Sequence, residues 1–368
     1  MIRSIQLPFY AKLCFILVSL ICFGYIFCAG KDIITPVLMA FLFSVLLLPI
    51  FTFLHHKLKF PRHIAAACCI LLFAACIVGI LVFISYQVSY IANDFDTIKK
   101  NANTFIIEIH KFIKDSFHVS IGEQKKYLSN VTIDTVKNGN ASASIGSVII
   151  SISDLLLDCT IIPIYTFLFL LYKDHFILFL AKLIAKKNHL ILKNILSQIR
   201  ASIKNYIMGL ILEMIVVSIL TGLGLFIIGV KYFILLGLIT GILNMIPYIG
   251  ILIAGIITLL ASLSGTPEIS AVLGILIVNL IVQLIDNNLI VPLIINSKVE
   301  INAFVSIIGI IVGGAAAGIY GMFLAIPLLA IIKIIFDRIE SLEAWGYLMG
   351  NHMPRKFIWR VKRVKTEN

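Results

Sequence analysis

The chain alternates long apolar stretches with short polar segments. Eight of the stretches stay apolar for about 20 residues or more, which is the length that an α-helix needs to cross the hydrocarbon of a bilayer. Their approximate bounds are 11–29, 33–54, 64–91, 147–172, 207–229, 232–262, 269–295 and 303–335. The pattern therefore predicts an all-α, polytopic integral membrane protein with about eight transmembrane helices.

Two polar segments interrupt this pattern. The segment 93–146 carries a stripe of mostly apolar residues, from Ile98 to Ser116, in alternating steps of four and three, which predicts an extramembrane helical insertion. This stripe packs either against the second half of the insertion or against copies of itself in a homo-oligomer. In 188–206 one helix face is apolar and the other basic, as in a helix that lies on the cytoplasmic leaflet.

Composition supports a lipid environment. Hydrophobic residues make up 60% of the 368 residues and charged residues 13%, whereas soluble domains are roughly 45–50% apolar and about 25% charged. The net charge of +12 comes from bases in loops between apolar runs, without the aromatic-rich basic stripe of a nucleic-acid interface. We therefore expect the lipid bilayer, and not nucleic acid, as the partner of this charge.

The basic loops predict the topology. Bases concentrate in 55–63, in 173–206 and in a tail at 337–368. With eight crossings these regions and both termini share one face, which the positive-inside rule makes cytoplasmic. The chain then divides into spans one to three at 1–92, an extracytoplasmic insertion at 93–146 and spans four to eight, with the amphipathic helix, at 147–336.

Four carboxylates lie inside predicted spans, where an ionisable group is costly and asks for a reason. Asp154 and Asp158 lie one helical turn apart, either as a proton-sharing pair or as the lining of an outer vestibule. Glu213 is isolated near the cytoplasmic end of the fifth span. It either snorkels, pairs with Lys204 or binds a proton, and its isolation favours a structural or interfacial role.

The fourth carboxylate, Asp286, belongs to a polar cluster with Asn287 in an otherwise apolar span. Pro292 follows and removes a backbone donor, which predicts a bent or broken helix. Helix breaks near the middle of a bilayer are where transporters bind ions and substrates. The alternative is that the cluster marks the outer end of the seventh span.

A second predicted break lies in the stretch 232–262, which is longer than one crossing. Pro247 and Gly250 divide it, and Asn244 and Tyr248 place polar groups at the division. The segment forms either a re-entrant hairpin or a kinked span. In the last span, small residues permit close helix packing or a hinge. The candidates are Gly309, Gly313, Gly314, Gly318, Gly321 and Pro327.

No enzyme is predicted, because the sequence contains no HExxH, GxSxG, Walker or CxxC motif. The seven cysteines lie in apolar segments without metal-ligand spacing. We expect no catalytic residues, no cofactor and no metal site.

Taken in order, these motifs resemble the autoinducer-2 exporter family of bacterial membrane proteins. The resemblance rests on Ile162-Pro163 through Lys173-Asp174, on Asn244 to Gly250, on Asp286-Asn287 with Pro292, and on Gly318 to Pro327. Ile251 and Ala303 depart from the pattern, since family members often carry proline there, and this leaves the exact helix breaks open.

The resemblance implies a homo-oligomer in the bacterial inner membrane that transports without ATP hydrolysis. Its solute is either an autoinducer-2-like or other small organic molecule, or sodium or lithium exchanged for protons. The expected binding residues are Asp286, Asn287, Asn244, Tyr248, Glu213, Asp154 and Asp158. A membrane scaffold without transport is a third hypothesis, and the stripe in 98–116 would carry it.

Overall fold

The computed structural model describes residues 8–94, 141–246, 249–262, 269–293 and 301–351, with isolated positions between 98 and 111. This part of the chain contains ten α-helices and no β-strand. The helices are α1 (Phe9–Ala29), α2 (Lys31–Thr52), α3 (Arg62–Asn93), α4 (Ala141–Leu183), α5 (His189–Ile228), α6 (Phe233–Asn244), α7 (Ile249–Ser262), α8 (Ile269–Ile285), α9 (Ala303–Phe336) and α10 (Glu343–Met349).

Within the described residues, six stretches are long and apolar enough to cross a membrane. They are Lys31–Lys57, Arg62–Gln87, Thr160–Leu183, Lys186–Ile228, Val272–Ile290 and Ala303–Phe336. Cys14–Ala29 and Phe233–Asn244 are shorter apolar helices. The prediction of an all-α polytopic membrane protein is therefore confirmed, although two of the eight predicted spans take another form, described below.

Helix α5 is the central element, with 40 residues in one continuous helix. The amphipathic segment 188–206 forms its first half instead of a separate helix on the leaflet. Leu192, Ile199 and Ile203 on its apolar face are buried. The last two belong to a cluster with residues of α2 and α9. The apolar face is thus covered by protein, because α2 and α9 supply a closer-packed surface than lipid does.

Helix α9 is a hairpin and not a single crossing. Its backbone leaves the helical region at Ala317 and at Gly318, where φ is 59° and ψ is −140°, a conformation that suits glycine. A Cβ added at Gly309 would touch the side chain of Leu329, although a straight helix would hold these residues about 30 Å apart. The predicted eighth span therefore folds back into two arms, 303–316 and 319–336.

Both ends of the α9 hairpin lie together. The Asn302 N–H donates to the Met349 carbonyl at 2.9 Å, and the Asn302 side chain donates to the carbonyl oxygens of Leu348 and Gly350. Gly350 in turn lies beside the side chain of Lys333, near the end of the second arm. The hairpin thus enters and leaves at one end of the bundle, where α10 packs across its ends.

Helices α6 and α7 form a second hairpin in place of the predicted sixth span. They have 12 and 14 residues, fewer than the roughly 20 that a crossing needs. Leu236 of α6 and Ile257 of α7 pack in one cluster, which requires the chain to fold back between them. A Cβ added at Gly250 would overlap the Leu243 carbonyl, so only glycine fits this turn.

Glycines bring α6 and α8 close to the second half of α5. A Cβ at Gly237 or Gly241 of α6 would overlap the α5 backbone, and Gly224 of α5 faces Val278 of α8. Small residues allow this close approach in membranes, where apolar burial gives little driving force between helices. Helix α5 therefore carries α9 and α2 on its first half, and α6 and α8 on its second.

An ion pair lies at each end of the bundle. At one end Arg62 pairs with Asp174 at 3.3 Å, so two of the three basic regions of the sequence meet there, and we call this the basic end. At the other end Asp94, which follows α3, accepts hydrogen bonds from Lys231 at 2.5 Å and from the Tyr232 hydroxyl at 2.6 Å. This second group ties the start of the insertion to the α5–α6 connection.

We predict that Gly321→Ala destabilises the protein, because its Cβ would overlap the Gly313 carbonyl in the facing arm. Overpacking of this kind costs about 1–3 kcal/mol. Thermal unfolding of the purified protein measures the effect. Gly24→Ala in α1 is the matched control, since a Cβ there meets nothing within 4 Å. Equal unfolding temperatures for the two variants would contradict the hairpin.

The Asp94 group predicts a loss of stability in acid. The hydrogen bond from Lys231, followed by that from Tyr232, lowers the pKa of Asp94, and the bond to Asp94 raises the pKa of Lys231. The Asp94 contribution is therefore present above the ordinary carboxyl pKa and disappears as pH falls through the lowered value. Asp94→Asn should lower the unfolding temperature at neutral pH but not in strong acid. Lys231→Met removes the same interaction, so adding it to Asp94→Asn should not lower the unfolding temperature further. Additive losses in the double variant would show that the two residues are not coupled.

Candidate functional site

A cluster of buried polar side chains lies between the two halves of α5. Glu213 follows the segment of α5 that packs on α2 and α9, and it precedes Val217, which packs against α8. It lies about 22 Å from the end of α5 at Ile228, within a hydrocarbon layer of about 30 Å. Only 5% of Glu213 is exposed, so its carboxylate does not snorkel to a membrane surface.

Asn244 joins Glu213 to a second carboxylate. Its side-chain nitrogen Nδ2 donates to Oε1 of Glu213 at 3.0 Å and to Oδ2 of Asp286 at 3.1 Å. Asn244 and Asp286 are also buried, with 6% and 3% exposed. One amide nitrogen therefore bridges two acidic side chains from different helices. We call these three residues the carboxylate cluster.

The second oxygen of each carboxylate is buried without a hydrogen-bond donor among the described residues. Glu213 Oε2 and Asp286 Oδ1 are buried and accept no hydrogen bond within the described part of the chain. Two carboxylates within reach of one amide repel each other strongly where the dielectric constant is low. The cluster is therefore stable only when one carboxylate is protonated or when a cation lies beside the pair.

One helix end and one widened helical turn bring these side chains to α5. Asn244 is the last residue of α6, and the tight turn that requires Gly250 follows it. Asp286 opens a π-helical turn, Asp286–Ile290, directly after α8. Pro292 lies just beyond this turn and cannot donate a backbone hydrogen bond, and the helix continues past Asp286 in this wider form. Such widened turns are frequent at functional sites.

Three of the seven predicted binding residues thus come together, namely Glu213, Asn244 and Asp286. Asn287 is exposed and does not join the cluster. Tyr248 and the neighbouring Pro247 lie outside the described residues. Asp154 and Asp158 belong to α4, but their side chains also lie outside the described part.

The predicted hinge residues of the last span lie in the α9 hairpin. Gly313 and Gly321 face each other across the two arms, and Gly314 faces the Met322 side chain. Gly318 forms the turn, and Pro327 is buried in the second arm. Gly313, Gly314 and Gly321 therefore allow the two arms to pack closely, and Gly318 forms a turn that needs glycine.

Sequence reasoning undervalued Glu213, because an isolated carboxylate shows no partner along the chain. The proposed pairing with Lys204 does not form; Lys204 is exposed. A signal was nevertheless present. Only four residues connect α5 to α6, so the two helices run antiparallel, and residues at similar distances from the connection face each other. Glu213 and Asn244 are such a pair.

The family model described as "AI-2E family transporter" matches residues 15–341. The chain belongs to the AI-2E transporter family. The resemblance drawn from its sequence motifs is thereby confirmed.

Relatives of this AI-2E family protein are named as transport proteins. "Putative transport protein YrrI" of Bacillus subtilis is 26% identical over 317 residues, which cover 83% of this chain and 86% of that protein. "Putative transport protein YueF" of the same organism is 26% identical over 320 residues, covering 83% and 84%. "Putative permease PerM" of Escherichia coli is 30% identical over 179 residues, covering 48% and 49%.

Family membership supports a role in membrane transport and a multi-pass position in the bilayer. It also agrees with the expectation that this protein is not an enzyme. The carboxylate cluster is our candidate for the transport site, because it combines buried acids with a helix end and a widened helical turn.

We predict that Asn244→Ala destabilises this AI-2E protein by about 1–3 kcal/mol, because both carboxylates lose their shared donor. Adding Asp286→Asn should recover part of this loss, since it removes one buried charge and supplies an amide that can donate to Glu213. Thermal unfolding of purified protein measures both effects. Asn287→Ala, an exposed neighbour, is the control and should change little. A double variant no more stable than Asn244→Ala would argue against the bridging arrangement.

Proposed function

We propose that this AI-2E family protein is a secondary transporter that moves a small solute without ATP hydrolysis, and that Glu213 and Asp286 couple this movement to protons. The observation that carries the proposal is the carboxylate cluster, in which one asparagine bridges two buried acids. A pair of acids that cannot both be charged without a cation is suited to exchanging a proton for a cation. Proton and ion pathways in membranes use such residues.

The cluster favours sodium or lithium ions as the solute, exchanged for protons. The two unpartnered carboxylate oxygens are hard ligands of the kind that such ions prefer. Helix α6 ends at Asn244. A helix C-terminus carries partial negative charge, which adds to the attraction for a cation. This combination is the one by which broken helices coordinate Na⁺ or H⁺ in transporters.

Export of a small organic molecule, such as an autoinducer-2-like signal, is the second candidate. The description of the family model favours it. In that case the cluster would supply the proton coupling, and Asn244 would offer the solute a hydrogen bond. The two candidates differ in whether a metal cation alone moves protons.

We further propose a place in the bacterial inner membrane with both termini in the cytoplasm. The meeting of two basic regions at the basic end supports this orientation through the positive-inside rule. A homo-oligomer is proposed on the family resemblance alone. The stripe of 98–116, which would contribute to it, falls mostly outside the described residues.

Purified protein in liposomes loaded with a pH-sensitive dye tests the coupling. Sodium, lithium or potassium is added outside, and proton movement is followed in the wild type, in Asp286→Asn and in Glu213→Gln. We expect sodium or lithium to drive proton movement in the wild type and each variant to reduce it at least ~10-fold, since an uncharged amide cannot exchange a proton for a cation.

Asp32→Asn is the control, because Asp32 is an exposed acid at the start of α2; it should keep the wild-type rate. Retained exchange in both cluster variants would remove Glu213 and Asp286 from the ion path. Folded wild-type protein that moves no protons with any of these cations would reject antiport and leave the export of an organic solute.

A further inference from the structure

Helices α5, α6 and α8 carry the same order of side chains on the faces that lead away from the carboxylate cluster. All three faces run towards the end of the bundle at which Asp94 lies, which we call the Asp94 end. On each face the cluster residue is followed by a polar residue and then by an apolar one, at a spacing of four, seven or eight residues that keeps to one helix face. The polar residues are Thr221, Thr240 and Asn279, and the apolar residues are Leu225, Leu236 and Ile275.

Contacts between the helices join these faces at both ends. At the inner end, Asn244 donates to both Glu213 and Asp286. At the outer end, one buried cluster contains all three apolar residues. The three polar residues therefore lie between two levels at which the same faces of the same helices meet.

Packed glycines give the depth of each polar residue along α5. Gly241 of α6 packs against Ser218 of α5, and Gly224 of α5 packs against Val278 of α8. Because α6 and α8 both run antiparallel to α5, these contacts place Thr240 and Asn279 about two residues, or ~3 Å, to either side of the level of Thr221. The three polar residues thus share one level about 6 Å thick, which we call the polar layer.

The oxygen atoms of the polar layer suit a cation. The Thr221 hydroxyl is buried and has no hydrogen-bond partner among the described residues, a costly state for a polar group that binds nothing. Thr240 donates its only hydroxyl proton to the Leu236 carbonyl at 2.7 Å, so its oxygen offers other groups lone pairs alone. Asn279 is half-buried and lies beside Gly255 of α7, so α7 borders the layer as well.

An apolar layer closes the way from the polar layer to the Asp94 end. It consists of Leu225, Leu236 and Ile275, each at most 1% exposed. Tyr232 packs in the same cluster, and its hydroxyl donates to Asp94 at 2.6 Å. An apolar constriction blocks ions until water enters it. The structure therefore shows this side of the carboxylate cluster closed.

We infer that Thr221, Thr240 and Asn279 form a second cation position, on a path between the carboxylate cluster and the Asp94 end that the apolar layer gates. Hydroxyl and amide oxygens replace part of the water around a sodium or lithium ion. They bind it more weakly than carboxylates do, and conduction needs sites that an ion can leave. These three side chains do not titrate, so the proton exchange stays with Glu213 and Asp286. The inference rests on the proposed exchange of a cation for protons and names the side from which the cation reaches the acids.

Thr221→Val tests the second cation position, because it keeps the branched shape of the side chain and removes its oxygen. In the liposome assay with sodium we expect the exchange rate to fall at least ~3-fold, roughly the worth of one hydrogen-bond contact. Thr221→Val/Thr240→Val should lose about 10-fold, and Thr221→Ser, which keeps the hydroxyl, should restore most of the rate. The pH dependence of exchange should stay that of the wild type, because the titrating acids are unchanged.

Thermal unfolding separates this effect from damage to the fold. Thr221→Val should not lower the unfolding temperature, because it removes a buried hydroxyl that has no protein partner among the described residues. Thr35→Val in α2 is the matched control. The Thr35 hydroxyl is also buried without a partner in the described part of the chain, and its loss should leave the exchange rate unchanged.

Three results would overturn the second cation position while the proposed exchange stands. They are a wild-type rate in Thr221→Val/Thr240→Val, an equal loss of rate in Thr35→Val, and a loss of rate with a shifted pH dependence, which would show that the variants act through the acids. Wild-type protein that moves no protons with any cation would instead reject the exchange itself, and the second cation position with it.

Discussion

A carboxylate inside a bilayer has no water to solvate it, and the arrangement around α5 follows from this constraint. Glu213 must find its partners in protein. Asn244 reaches it because α6 stops at that depth, and Asp286 reaches the same amide because α8 gives way to a wider turn there. Regular helices would keep their backbone polar groups satisfied but would not bring three polar side chains to one point.

Packing on both sides of the cluster holds it in place. One half of α5 is covered by α2 and by the α9 hairpin, and the other half by α6 and α8. Met245, which directly follows Asn244, packs against the first of these apolar groups. The end of α6 therefore touches a cluster to which α2, α5 and the α9 hairpin all contribute.

Much of the fold follows from the sequence, since apolar length and small residues are local signals. The stretch 232–262 was too long for one crossing, and its proline and glycine indicated a break. The fold-back of α9 was not predicted, because its 34 residues read as one apolar span and its glycines permit packing against any helix. Asp286 and Asn244 stood out as polar residues beside helix breakers. Glu213 did not, because its hydrogen-bond partner Asn244 is 31 positions away and is brought to it by the short connection between α5 and α6.

The α9 hairpin has a consequence for the biosynthesis of the protein. A segment of 34 apolar residues offers the insertion machinery the signal of an ordinary span, yet both of its ends must finish on the same side. The hairpin has to enter the bilayer from that side alone, and its first arm packs against surfaces of α2 and α5 that are synthesised earlier. The helices that α9 packs against are therefore synthesised before α9 itself.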